Sequence, residues 1–395
     1  MKKPHRKFRT AACLLLLSAS ILTTAWPLRA EQTKELKPTA PGDETFDVDA
    51  LFKRSIVIDG NANYYSFVSH SEIGRPDFSK DMQGLTVKEA TGIDIGGITL
   101  GKLASLHNEG NLLKSGRYRG AMLIRTAADI DEAVRQKKYG VMFYAQRHYP
   151  LNGGIESIRK WHDDGLRIFQ LQYSANDGNQ EPGERLGGGP TQKGGLTELG
   201  TKVVHELLRL GMVVDLAHCN TQTTIEAAEI AKLYGVPVTA NHVGARDVKT
   251  DDGKWLARYA RNATAEKMLA VKETGGVVGV MAYGPYLRGP YQKLRMTPPE
   301  FDIPHATIDD LVAHIDHIVK LIGVDHVGLS TDGYLDGTMA HGRKGDGILD
   351  GPRRWKEAMR RLHDMGYSEA DLQKIMGMNF LRVYRQALKP AKPLK

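Results

Sequence analysis

The chain has 395 residues, 41% of them hydrophobic and 25% charged, a length and composition that suit a large barrel with insertions and a sizeable core rather than one small domain. Its formal net charge of +8 comes mostly from the first thirty residues, which hold six Lys/Arg and no Asp/Glu; without them the balance is +2. No basic stripe remains to bind nucleic acid, and since Cys13 lies within those thirty residues, their removal would leave Cys219 alone and no internal disulfide.

Lys2, Lys3, Arg6, Lys7 and Arg9 precede an apolar stretch, residues 11–26, and Leu28-Arg29-Ala30 offers a cleavage site. This is the pattern of a secretory signal over residues 1–30. The apolar run is short for a span, so no stable membrane span is expected after processing, and the mature protein is expected in the periplasm or outside the cell. Residues 31–45 are polar and proline-containing and read as a linker. Residues 46–388 read as the folded body and 389–395 as a tail.

Within the body, a short helix over 46–54 leads into a first core strand, 55–59, which ends in Gly60-Asn61-Ala62-Asn63. Residues 64–120 carry little pattern apart from a glycine-rich second strand over 93–103. The alternation is then clean: helix 127–137, strand 141–145, helix 155–163, strand 168–173. A loop over 174–195 holds seven glycines and resembles an active-site loop more than a linker. Helix 198–210, strand 213–216, helix 223–233 and strand 236–240 follow, then helix 264–274, strand 277–282, helix 308–322 and strand 326–330. Helices 355–364 and 371–387 close the chain, the last with a capping signal in Ser368-x-x-Asp371. Eight strands alternating with helices predict an α/β fold of the TIM-type (β/α)8 barrel. An open doubly wound sheet is the rival, and no GxGxxG follows the first strand to support a dinucleotide fold.

The segment 213–243 organises the chemistry. Two apolar runs there lead into histidines, His218 and His242, with a helical stretch between them. Parallel strands place both imidazoles at the carboxyl edge, where α/β folds carry their sites, and two converging imidazoles suggest a metal, zinc being the commonest. Cys219 reads as a small buried hydrophobe rather than a ligand. The other strand ends contribute Asn61 and Asn63, Gln146, Tyr173 and Asp332, the last suited to acid/base work beside a bound water.

Taken together, these residues resemble the membrane (renal-type) dipeptidases, peptidase family M19 of the amidohydrolase-like barrels, from about residue 46 to 388. The family's first strand ends DGHND, where this chain has Asp59-Gly60-Asn61-Ala62-Asn63. Its third-strand glutamate falls on Gln146, counted back from Gly165-Leu166-Arg167. Its two later zinc histidines match His218 in DLAH and His242 in NHVGAR. Its substrate-contacting histidine falls on Tyr173, and the arginine of its RN pair, which holds the substrate carboxylate, matches Arg261-Asn262. Its GxxxDFDG aspartate matches Asp332, and its GGNFLRV matches residues 377–383.

The resemblance implies a binuclear zinc site, a peptide-like small ligand and a homodimer. The departures alter the first of these. Histidine, aspartate and glutamate have become Asn61, Asn63 and Gln146, and neutral amides are poor zinc ligands. The expectation is therefore at most one zinc, on His218 and His242, with Asp332 as acid/base, Arg261 and Tyr173 facing ligand, and Asn61, Asn63 and Gln146 as degenerate metal positions. Three readings compete. One is a non-hydrolytic relative that binds a peptide-like ligand or assists maturation of an exported peptide natural product. The second is a mononuclear zinc hydrolase. The third, an ordinary dipeptidase, is opposed by the departures.

Overall fold

Eight strands close into a barrel only if the first and last of them meet, and in the computed structural model they do. The structure describes residues 46–62, 86–100, 107, 110–111, 113–114, 120–146, 151, 153–173, 185–250, 252–289, 306–333 and 352–394. The strands are β1 (Ile58–Ala62), β2 (Ile95–Thr99), β3 (Ala121–Leu123), β4 (Tyr139–Ala145), β5 (Leu166–Gln170), β6 (Val213–Asp215), β7 (Thr239–Val243), β8 (Val277–Met281) and β9 (Val327–Ser330). Their order is β2-β1-β9-β8-β7-β6-β5-β4, and β2 also pairs with β4 and so closes the ring. Every pairing is parallel. Eight strands form the predicted barrel, and β3 is an addition that the sequence reading missed. It pairs with residues 139–141 of β4, before β5 joins the same strand at Phe143.

Helices alternate with the strands. The ones that matter here are α1 (Val48–Arg54), α2 (Val87–Thr91), α3 (Ala127–Arg135), α4 (Ser157–Asp163), α5 (Glu198–Leu210), α6 (Thr221–Tyr234) and α7 (Ala265–Glu273). The caps explain where they start and stop. Asn220 accepts from the Thr223 amide at the start of α6, and Gly235, at φ 61°, ends it. Thr197 caps α5 in the same way, and Gly211 closes it at φ 76°. Apolar residues of α6 such as Ala227, Ala228 and Ala231 are buried, as are strand residues such as Ile58, Ile95, Phe143, Val213 and Val278. No helix among the described residues is long and apolar enough to cross a membrane.

Two boundaries differ from the sequence reading for identifiable reasons. The strand expected over 236–240 lies at Thr239–Val243 instead. Pro237 has no N–H to give a ladder, and the Val238 amide donates to Thr274 Oγ1. The shift puts His242 inside β7. The closing helix expected over 371–387 is broken: α8 (Glu369–Gln373), begun by the Ser368–Asp371 capping box, passes through a π turn at Lys374–Met378 into α9 (Asn379–Ala387). Gly377 sits in that turn because a Cβ there would lie 2.3 Å from the Ile56 carbonyl oxygen. The first strand also begins later, at Ile58 rather than 55, which makes Asn61 part of the strand.

Candidate functional site

The two histidines meet. His218 sits in the turn between β6 and α6, and His242 is 1% exposed in β7; their Nε2 atoms are 3.1 Å apart. The Tyr173 ring, just after β5, stacks on His218 at 4.6 Å and 21°. Burial is the largest cause holding both imidazoles well below their usual pKa, with the positive charges of Arg261 and Lys267 adding to it. Both are therefore neutral at pH 7, the form that ligates metals.

Arg261 is 4% exposed and grips the backbone that carries the pair. Its two terminal nitrogens donate to the Ala217 carbonyl (3.2 Å) and the His242 carbonyl (2.7 Å), while Nε is buried without a partner. The guanidinium lies 5.5 Å from the Tyr286 ring. Lys267, which the sequence reading missed, does the same from the first turn of α7. It is 3% exposed, and Nζ donates to the Ala217 and Cys219 carbonyls at 2.9 and 2.8 Å, on either side of His218. Burial pulls its pKa down to about 8. A signal was present: Lys267 stands one turn before Val271, on the buried side of its helix. Cys219 is buried, as expected, and burial pushes its thiol up to about 12.

Below the histidines lies a polar layer that was also missed. Asp215, fully buried, accepts from the Ala217 amide (3.2 Å), the Asn241 amide (2.7 Å) and the Tyr144 hydroxyl. An aspartate within the apolar run Val213–Leu216 was its signal. Gln170 Oε1 lies 2.8 Å from the same Tyr144 hydroxyl, which has one proton for the two acceptors, and its Nε2 donates to the Gln146 and Gln172 carbonyls. Gln146 itself lies just past β4 with Nε2 buried and unpaired.

Across the barrel mouth, β1 and β9 bring together Asn61 and Asp332. The Asn61 amide nitrogen donates to Asp332 Oδ1 at 2.7 Å, and its amide oxygen accepts from Thr99 Oγ1 at 3.0 Å. Beneath them Asp59 accepts from the Thr331 amide (3.0 Å), the Thr331 hydroxyl (2.5 Å) and the Asn61 amide (3.1 Å). Burial raises Asp332 to about 7 and Asp59 to about 6, and Asp59's charge pushes Asp332 further in the same direction. Asp332 adopts φ 50°, a left-handed conformation that Asp and Asn tolerate better than other side chains. Asn63 lies outside the described residues, as does 174–184 of the glycine-rich loop.

The donor chemistry can be weighed against zinc. Tetrahedral Zn–N bonds of about 2.0–2.1 Å put neighbouring ligand nitrogens roughly 3.3 Å apart, close to the spacing of His218 and His242. That pair fits one edge of a single ion. Asn61 fits a metal poorly, since a neutral amide is a weak zinc ligand and both ends of this one already make hydrogen bonds. No cluster of three or more His, Cys, Asp or Glu suited to a metal occurs among the described residues.

Comparison with known proteins agrees with this architecture. The dipeptidase aclJ of Aspergillus oryzae is 28% identical over 241 residues, 60% of this chain and 48% of that protein. The chain thus spans about half the length of the first curated relatives it matches. Among solved structures, an amidohydrolase from Pseudomonas aeruginosa superposes with a TM-score of 0.65 at 24% identity, covering 87% of this chain and 99% of that one. The probable dipeptidase PvdM from the same organism gives 0.66 at 19% identity, covering 87% and 98%. Residues 114–395 match the family described as membrane dipeptidase (peptidase family M19), and the chain belongs to that family.

Proposed function

We propose that this is an exported dipeptidase-like protein that binds or processes a small peptide-like ligand at the His218–His242 edge, its other metal position having been lost. The observation that carries the reading is the state of Asn61. Its amide nitrogen is bonded to Asp332 and its oxygen to Thr99, so the side chain is held in a polar seam, and a neutral amide is in any case a poor zinc ligand. Arg261 is the group for a ligand carboxylate: Nε remains unpaired while the terminal nitrogens hold the backbone. Tyr173, stacked on His218, walls the ligand in. Asp332, raised to about 7, gives or takes a proton at its carboxyl near neutrality. Maturation of an exported peptide is the setting we favour, on the strength of the leader-like first thirty residues.

The 3.1 Å spacing of the imidazole nitrogens favours a second reading, a mononuclear zinc hydrolase. A zinc ion held by His218 and His242 would supply Lewis-acid polarisation of a bound carbonyl. Metal analysis of purified mature protein, beside a dipeptide hydrolysis assay, tests both. Without cleavage, zero or one zinc per chain supports the first reading; one zinc with cleavage lost on chelation supports the second. Two zinc ions per chain would overturn both.

A further inference from the structure

We infer that Asn61 is a positioning residue whose side-chain amide ties β2 to the segment after β9 and fixes the Asp332 carboxylate at the barrel mouth. The inference rests on the reading above in one respect, that Asn61 holds no metal, and adds what the residue does instead.

The β1–β9 junction is where the barrel's first and last strands meet, and its ladder is short: a single pair, Asp59 with Leu329. Above that pair, main-chain and side-chain bonds together continue the seam. The Asp332 amide donates to the Asn61 carbonyl at 2.8 Å, and Ser330 Oγ reaches the same oxygen at 3.3 Å. The Asn61 side chain then returns a bond to the Asp332 carboxylate, so the two residues are joined twice. Thr99, at the end of β2, holds the far end of the amide. The orientation of the amide follows from charge, because a carboxylate accepts from N–H and repels a carbonyl oxygen. Asp332 needs this tether. Its φ of 50° lies in the left-handed region, which Asp tolerates better than most side chains but still at some cost. Burial beside Asp59 also sets two carboxyl groups close together, and an amide donor offsets part of their repulsion.

A residue that had merely lost a ligand's lone pair would tolerate any isosteric replacement. A tether would not, and a donor–acceptor swap separates the two. Asn61→Asp keeps the shape and the acceptor for Thr99 but opposes two carboxylates. At about pH 8 it should lower the melting temperature by roughly 5 °C or more. The double variant Asn61→Asp/Asp332→Asn reverses the direction of the bond and should regain most of that loss. It should also exceed Asn61→Leu/Asp332→Asn, which keeps Asn at the φ 50° position but offers it no acceptor. The Asn61 side-chain amide protons, identified in proton–nitrogen spectra by their disappearance in Asn61→Asp, should resist solvent exchange in the parent and exchange freely in Asp332→Ala.

An Asn61→Asp variant that melts with the parent, or a swap no better than Asn61→Leu/Asp332→Asn, would overturn the tether. Zinc analysis of the parent keeps the outcomes apart. Two zinc ions per chain would remove the reading above and this inference together, whereas zero or one zinc with a failed swap would remove only this inference.

Discussion

The two sides of the barrel mouth treat polar groups in opposite ways. On the β6–β7 side, His218 and His242 are pressed together by cations that hold their backbone, and His242 Nδ1 is buried without a partner. On the β1–β9 side, the Asn61 amide has both ends satisfied and Asp59 collects three donors. A site kept ready for a ligand carries unmet hydrogen-bonding capacity, which costs stability; a seam that only holds the fold does not. The difference teaches that the β6–β7 side keeps unmet hydrogen-bonding capacity, while the β1–β9 side uses most of its own in holding Asp332 in place.

The largest effect should come from removing the histidines. His218→Ala/His242→Ala should lower zinc affinity by at least about a hundredfold if zinc binds there, as read by isothermal titration. Unchanged affinity would move any metal site elsewhere.

Next comes rebuilding the other side. Asn61→His/Asn63→Asp/Gln146→Glu restores ligand types but breaks the Thr99–Asn61–Asp332 bridge. Without metal it should cost roughly 3 kcal/mol. Zinc should then raise the melting temperature of this variant more than that of the parent. A folded variant that gains no second zinc would show that these positions do not converge.

Arg261→Met strips donors from two buried carbonyls. It should cost about 2–3 kcal/mol of stability and, for a carboxylate ligand such as a simple dipeptide, weaken binding about ten- to a hundredfold. Lost stability with unchanged dipeptide affinity would make Arg261 purely structural.

The two sides should also respond oppositely to pH. Asp59 and Asp332 are raised from 3.8 to about 6 and about 7, so their contribution is complete below pH 3.8 and is lost as pH rises through 6 to 7. His218 and His242 are depressed below 6.5, so theirs is present above 6.5 and is lost as pH falls. Asp332→Asn should therefore remove the stability that its protonation adds as pH falls from 7 to 4, so the histidine-driven loss over that range becomes steeper than in the parent. Denaturant melts across that range would show it, and an unchanged profile would deny Asp332 its raised pKa.

The smallest effect is expected at Gln146→Leu. Its amide nitrogen has no partner to lose, so stability should move by less than about 1 kcal/mol. A larger fall in urea melts would reveal a partner for that side chain.

Much of this architecture was legible in the sequence, because strand–helix alternation repeats locally and strand ends announce themselves with polar residues after apolar runs. His218 and His242 were found that way, and the structure brings them together. The seam was not legible, since Asn61 and Asp332 are 271 residues apart and nothing local links an asparagine to an aspartate at that distance. Lys267 was missed because a lysine in a helix ordinarily faces solvent. The start of β7 was misplaced because hydrophobicity alone does not register the amide that Pro237 lacks.

Phe380 of α9 carries a consequence for how the barrel is made. A Cβ on Gly60 of β1, Gly279 of β8 or Gly328 of β9 would come within 3.0 Å of its ring, so one aromatic side chain near the end of the chain seats against the strand with which the barrel begins. Synthesis delivers β1 long before Phe380, with more than three hundred residues between them. Contacts so distant along the chain are slow to form. The edge of β1 that faces β9 therefore stays open at least until residues 327–330 have been made, and its packing against the Phe380 ring waits for residue 380.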